Sequence, residues 1–497
     1  MYEKILTAAI SGLGAEIVQV EADSGSGEFG QIAIVGLPDT AISEARERVK
    51  SALKNCGYAY PKRKVTVNLA PAHLKKQGSA YDLPIAICIL SLNTRFNFDF
   101  SQALFCGELS LDGSIRPLRS ILPLILAAKQ AGLKAAFVPR LNAEEASLVP
   151  KITIYALDSL TQVLAFISRH TLLNSYQRPL LSLNTAINDD AWLQIKGQQQ
   201  AKRALTIAAA GGHNLLMIGP PGSGKSLLAT SLAEILPDVG LEEQLEIAKI
   251  YSIAGEFKQI AKKLKRPPFR APHHNASLAS LLGGGRGPKP GEITLAHKGA
   301  LFLDELPEFS RAALDSLRQP LEQRQILISR AEQHLYYPAE FLLIAAMNPC
   351  PCGYFGDPHI NCVCPSNSVQ KYRQKISGPI LDRFDLQINV PRLEITELSS
   401  DKKGEAAPLE KITSAYKLQI ERQGTKNASV NHNYLRSWQH DNQAAEKLAL
   451  EAADNLHLSA RAYDRLFRVA RTIADLDNND KIKEQHIAEA LSYRLSN

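Results

Sequence analysis

Gly219-Pro220-Pro221-Gly222-Ser223-Gly224-Lys225-Ser226 follows the pattern G-x-x-x-x-G-K-[ST] and constrains the fold more than any other stretch of the chain. An apolar run, Leu215-Leu216-Met217-Ile218, leads in and predicts a buried strand. Leu227 to Ala233 leads out and predicts a helix. That setting makes the pattern a phosphate cradle. Its glycines let backbone N–H groups close around phosphate oxygens, and the helix N-terminus adds partial positive charge. Lys225 is then expected to reach the β- and γ-phosphates, and Ser226 to ligate Mg²⁺. The expectation is an α/β unit that binds ATP or GTP.

Further motifs fit hydrolysis. Ala300-Leu301-Phe302-Leu303-Asp304-Glu305 is an apolar strand ending in two carboxylates. Downstream of a phosphate loop, Asp304 is expected to hold Mg²⁺ and Glu305 to orient the attacking water. Alone, the same residues would read as a strand entering a solvated acidic turn. Phe341 to Met347 predicts a neighbouring strand whose tip, Asn348, would help position that water. The plainer alternative is a turn-forming Asn before Pro349. Arg383, in Ile380-Leu381-Asp382-Arg383-Phe384-Asp385, is a candidate for stabilising phosphoryl charge from a neighbouring subunit. It could equally form a surface ion pair with Asp382 or Asp385. Leu458-Ser459-Ala460-Arg461 reads as a helix start with Ser459 as N-cap. Arg461 could touch the γ-phosphate from a helical lid, or simply be solvated.

With 497 residues the chain is too long for one core and predicts about two to four domains. Hydrophobic content of 45% and charged content of 22% are ordinary for a soluble protein, and no apolar run is long enough to span a bilayer. The N-terminal residues lack a signal-peptide pattern, so the cytoplasm is the expected location and no membrane partner is expected. A net charge of +7 permits nucleic-acid binding without requiring it. Residues 1–168 read as an α+β domain, with strands at Gln31–Val35 and Lys64–Leu69 and helices at Ile42–Leu53 and Asp158–Phe166. Residues 169–188 read as a linker containing Pro179. Residues 189–393 form the nucleotide unit and 394–497 a helical C-terminal region. There, helices are predicted at Ala444–Leu456, Ser459–Leu476 and Glu484–Tyr493.

Seven cysteines without an export signal argue against a disulfide framework. Cys88 and Cys106 read as small core residues. Cys350-x-Cys352 and, nine residues on, Cys362-x-Cys364 place four thiolates in one loop, which suits tetrahedral Zn²⁺. The C-x-C spacing is tighter than the common C-x₂-C. His359 is an alternative ligand, and reduced, unligated thiols are the plainer reading.

Taken in order, these motifs resemble the AAA+ ATPases, and most closely their magnesium-chelatase-like branch. Arg270-Ala271-Pro272-His273-His274-Asn275-Ala276-Ser277 is similar to that branch's R-A-P-H-H-T-A-S, with Asn275 in place of Thr. Gly283-Gly284-Gly285, Pro290 to Gly299, Arg318 to Glu322 and Asn348-Pro349-Cys350-Pro351-Cys352-Gly353 also fit. End to end, the chain resembles the ComM/YifB type. The resemblance implies ATP-driven hexameric rings and a helicase that promotes DNA branch migration, extending recombination during natural transformation. A chelatase-type motor subunit that remodels a protein partner is the alternative.

The resemblance also implies two pore-facing insertions, the helix-2 insert at about 269–291 and the pre-sensor-1 hairpin at about 325–338. The long separation of Lys225 from Asp304 leaves room for the first. Ile326-Leu327-Ile328 and Leu335-Tyr336-Tyr337, flanking Arg330 to Gln333, predict the second. The Lys262–Arg270 stretch, Arg286, Lys289 and Lys298 are basic, as phosphate contact requires, or as any solvated surface can be.

The N-terminal part resembles the Lon protease domain, a ribosomal S5 domain 2-like fold. Gly107 to Leu118 is similar to Lon's G-E-[IV]-T-L-x-G-x-[VL]-x-P-I, and Ala127 to Gly132 continues the match. Lon uses a Ser–Lys dyad. Aligning its K-D-G-P-S-A-G with Lys76 to Asp82 puts Ala80 at the nucleophile position, with Ser79 one place early, and the dyad lysine falls near Leu122. An inactive domain is therefore expected. Arg46, Arg48, Lys50, Lys54, Lys62, Arg63 and Lys64 offer it a basic surface.

Overall fold

A computed structural model describes residues 4–25, 31–59, 63–178, 190–285, 289–329, 334–392 and 405–494. Lys62, Arg286, the hairpin tip Arg330 to Gln333, Pro179 with the second half of the expected linker, and 393–404 lie outside the described residues. The chain divides into two compact units, Met1–Leu183 with Gln244–Lys263, and Asn184–Glu243 with Leu264–Asn497. Residues 244–263, read from sequence as part of the nucleotide unit, thus group with the first unit. The helix Leu241–Ala254 buries Ile247, Ile250 and Tyr251, and periodicity alone does not reveal which core takes them.

The first unit is built on a seven-stranded mixed sheet. Its order is Ile32–Val35, Lys64–Ala70, Gly14–Gly25, Ile5–Ser11, Ala103–Phe105, Ala135–Pro139, Thr153–Leu157. The first two strands in sequence pair antiparallel from Ile5↔Val20 to Ser11↔Gly14. Helices Thr40–Asn55, Asp82–Ser91 and Ile121–Gln130 carry its other apolar surface. Asp39 caps the first by accepting from Ile42 N–H at 2.9 Å. Phe137 stacks between Phe105 and Tyr155, with ring centroids 4.5 and 4.8 Å apart. Cys88 and Cys106 are core residues as expected. Residues 169–178 form no regular element, although Tyr176 N–H donates to the Ile154 carbonyl at 2.7 Å.

The second unit holds a five-stranded sheet in the order Phe269–Arg270, Ala300–Leu303, Leu342–Met347, Leu215–Ile218, Leu386–Asn389. Every pairing is parallel. Helices Gln199–Gly211 and Lys225–Ile235 share its core with the C-terminal helices. These run Leu409–Gln423, His432–His440, Gln443–Asn455, Ala460–Leu476 and Glu484–Ser492. Ser459 accepts from Ala462 N–H at 3.3 Å, the N-cap its sequence announced. Gln325–Ser329 and His334–Pro338 pair antiparallel, with Ile326 opposite Tyr337, as the hairpin reading required. Among the described residues no helix is long and apolar enough to cross a membrane.

Glu145, in the first unit, is 8% exposed, and burial pushes its carboxyl up to about 7 against the pull of hydrogen bonds from Ser252 and the Leu122 N–H. A raised folded-state value means the native state favours the protonated form, so its contribution to stability is lost as pH rises from 4.5 to about 7. Glu145→Gln is therefore expected to melt higher than wild type above about pH 7, with the gap closing below 4.5, read by thermal denaturation across pH.

Candidate functional site

The strand order puts Leu215–Ile218 between two parallel partners, with Ile218 level with Met347 and Asn389. Leu303 lies level with Ala345. The loops that follow these strands therefore leave from one edge of the sheet, where ligands bind in open α/β folds. Gly219 begins the phosphate loop against the neighbouring strand's end. A Cβ there would come within 2.2 Å of the Val390 carbonyl. Gly224, at φ 87°, supplies the left-handed turn that starts helix Lys225–Ile235.

Within this loop Lys225 is only 9% exposed. Its ammonium donates to the carbonyls of Gly219 and Pro220, each at 2.8 Å, and to Asn348 Oδ1 at 3.3 Å. Burial pulls its pKa below the usual lysine range, and Asp304 and Glu305 pull it back up. Ser226 Oγ donates to Asp304 Oδ2 at 2.7 Å. Serine hydroxyl and carboxylate thus meet at one point, the oxygen donor set that suits Mg²⁺. Glu305 N–H donates to Asp304 Oδ1 at 2.9 Å. Glu305 adopts φ 52°, and its carboxylate lies 3.0 Å from His274 Nδ1. Glu305 and Asn348 also line one open depression with Lys371, Tyr372 and Lys375. In the sequence His274 stands out only as part of the Arg270–Ser277 motif. Its contact depends on the turn after Phe269–Arg270, which spacing does not specify.

Arg383 and Arg461 come together elsewhere. Both line a cavity of about 360 Å³ with Arg465 and Arg468, and none of Gly219 to Ser226 borders it. The ion-pair alternative for Arg383 takes a partner that sequence did not offer. Asp382 lies 3.5 Å from Arg465, while Asp385 accepts from Asn214 N–H at 3.3 Å and lies 3.4 Å from His213. Arg383 pairs instead with Glu322.

The four cysteines converge. Cys350, Cys352, Cys362 and Cys364 have sulfurs within 4.8 Å of one another, three of the separations being 3.4, 3.6 and 3.6 Å. A tetrahedral ion with ~2.3 Å metal–sulfur bonds needs sulfur–sulfur edges of about 3.8 Å, so the donor set fits structural zinc. His359 is not part of the cluster and lines a separate cavity beside Pro220 and Arg392. The loop packs on the phosphate loop, since a Cβ on Gly353 would come within 2.4 Å of Pro221 Cδ.

Basic residues divide into engaged and exposed groups. Arg270 forms a two-pronged pair with Glu292 at 2.6 and 2.8 Å, and Lys298 pairs with Glu340 at 2.7 Å. Arg48 turns inward to Asp82, at 2.7 and 3.0 Å. All three are engaged in ion pairs, which corrects the reading of Arg270 and Lys298 as phosphate-contacting or solvated cations and of Arg48 as part of a basic surface. Lys289, Arg46, Lys54 and Arg63 are exposed. In the first unit, Ser79 bonds to Glu108, Lys76 is buried on the Pro71 carbonyl and Leu122 is fully buried.

Comparison with known proteins gives a consistent result. The family model for magnesium chelatase, subunit ChlI, matches residues 191–398. Models for subunit ChlI of Mg-chelatase and for the ChlI C-terminal region match 18–142 and 405–494. Competence protein ComM of Haemophilus influenzae is 43% identical over 508 residues, covering 99% of this chain and 97% of that protein. YifB of Salmonella typhimurium is 41% identical over 497 residues, covering 98% and 96%. Lon protease of Mycolicibacterium smegmatis is 26% identical over 158 residues, 30% of this chain and 20% of that one. The parallel α/β core, the phosphate loop and these full-length similarities lead to one assignment: the chain belongs to the ComM/YifB-type family of magnesium-chelatase-like AAA+ ATPases.

Proposed function

We propose that this protein is an ATP-hydrolysing, hexameric DNA motor that promotes branch migration in homologous recombination during natural transformation. One observation carries the reading. A chain 43% identical, over 99% of its length, to a protein named for competence gathers Lys225, Ser226, Asp304 and Asn348 at one sheet edge. The family implies ATP and Mg²⁺, and Mg²⁺ when bound neutralises charge on the β- and γ-phosphates. Backbone N–H groups of Gly222 to Ser226 hold the phosphates, with Gly219, Pro220, Pro221 and Ser223 shaping the loop. Lys225 releases its carbonyl partners to reach them. Ser226 and Asp304 hold the cation, and Glu305 and Asn348 orient the attacking water.

The cavity shared by Arg383 and Arg461 supports a role in trans for both, on the nucleotide of a neighbouring subunit in the ring. The hairpin Gln325–Ser329/His334–Pro338 and the 269–291 segment then face the DNA. The Ser79–Glu108 pairing and the burial of Leu122 support an N-terminal domain without peptidase chemistry. The C-terminal helices act as the lid. A chelatase-type motor that remodels a protein partner is the second reading, favoured by the ChlI models. Similarity to Lon protease weighs against it.

On a synthetic three- or four-strand junction with ATP, wild type is expected to move the branch point and Lys225→Ala to fail. No movement, with ATPase indifferent to DNA, would favour the protein-remodelling reading. Arg383→Ala is expected to lower kcat roughly hundredfold or more. Mixing it with Lys225→Ala subunits should restore part of the activity, because Lys225→Ala subunits lend Arg383 to intact phosphate loops; no recovery would assign Arg383 a role within its own subunit. We further propose that the cysteine cluster holds structural zinc. Metal analysis should find zinc in the wild type and none in a Cys352→Ser, Cys362→Ser double variant, which should also melt lower. Fully folded, metal-free wild type after native purification would refute this.

A further inference from the structure

Helix Ala460–Leu476 brings three arginines to one cavity. Arg461, Arg465 and Arg468 follow at intervals of four and three, which puts them on one face of the helix. All three line the cavity of about 360 Å³ that Arg383 shares. Seven basic and five acidic residues line it, so its charge balance favours an anion. The surplus reaches Arg494 as well, where burial, and after it the charge of Arg465, push the guanidinium down to about 10.

These arginines are not equally engaged. Arg468 donates to the carbonyls of Ala428 and Val430 at 3.2 and 3.3 Å, so both its terminal nitrogens hold backbone. Arg383 pairs with Glu322, an exposed carboxylate. Arg465 is less well served. It reaches Asp382 at 3.5 Å, the outer limit of a hydrogen bond, and the Asp382 side chain is 55% exposed. The Arg465 side chain is 11% exposed, and its Nε, like that of Arg383, is buried without a hydrogen-bond partner among the described residues. A buried donor with no acceptor is costly, and is explained where something arrives to accept from it.

We propose that Arg465 is a further phosphate-contacting residue, supplied with Arg383 and Arg461 to the nucleotide bound by a neighbouring copy of this chain. The proposal rests on the reading of Arg383 and Arg461 as acting in trans. Glu322 and Asp382 are exposed partners, which hold a guanidinium only weakly. Phosphoryl oxygens carry more charge and accept in the plane of the guanidinium fork, so they replace both carboxylates. Arg468 stays on its own carbonyls and fixes the helix face that presents Arg465.

The test is steady-state ATPase of the full-length protein at saturating ATP. Arg465→Ala is expected to lower kcat roughly thirtyfold. Co-expressed with Lys225→Ala subunits it should recover part of that loss, because those subunits lend an intact Arg465 to intact phosphate loops. A role confined to its own fold would not be repaired this way. Arg468→Ala shows that case: it is expected to melt lower and to gain nothing from co-expression. Arg465→Gln repeats the test if the Ala variant does not fold. Wild-type kcat in Arg465→Ala, or recovery of Arg468→Ala to the same extent, would overturn the proposal. Arg383→Ala separates the two readings. If it recovers with Lys225→Ala and Arg465→Ala does not, the proposal fails and the trans reading stands. If neither recovers, the trans reading fails and the proposal with it.

Discussion

Parallel pairing of Leu215–Ile218 with strands on both sides is the constraint on which the rest of the site depends. Because Ile218 lies level with Met347 and Asn389, the phosphate loop starts where the neighbouring strands end. Gly219 can then press against the Val390 carbonyl, an approach no side chain would permit. Asp304 and Asn348 are the first polar residues after their strands, so the sheet delivers them to Ser226 and Lys225 without any long loop to order. A slip of one residue in any pairing would turn these tips to the opposite face.

The edge carries costs that the packing around it offsets. Lys225 is desolvated, and its charge is held by two carbonyls and the amide of Asn348. Glu305 sits in the left-handed region, anchored through its backbone to Asp304 and through its side chain to His274. The cysteine loop begins two residues after Asn348 and touches Pro221 through Gly353. Whatever stiffens that loop therefore also stiffens one wall of the phosphate site. Strain and desolvation gathered at one place are usual where a protein does chemistry.

Charged residues away from the edge show how partners are chosen by competition. Arg383 has an aspartate on one side in sequence and another two residues on, yet it bonds neither. Arg465 lies beside Asp382, and Asn214 with His213 engages Asp385, which leaves Glu322. Arg270, Lys298 and Arg48 likewise look available in sequence and are committed to Glu292, Glu340 and Asp82. Ion pairs between residues distant in the chain leave no periodic trace, so composition and spacing could not separate these cations from exposed Lys289 and Arg46.

What the sequence determined was local. The glycine and lysine spacing of the phosphate loop, the apolar runs that become strands, the Ser459 cap and the four clustered thiols each need only neighbouring residues to express their physics. Helix positions in the C-terminal region followed for the same reason, since amphipathic period and capping act within one or two turns. Tertiary structure decided everything that required a second segment to arrive. It placed residues 244–263 with the first unit, turned His274 onto Glu305, joined Arg383 with Arg461 around one cavity and brought the four cysteine sulfurs within 4.8 Å of one another. Those outcomes depend on which surfaces meet after the sheets form, and a single chain position carries no record of what it will face across space.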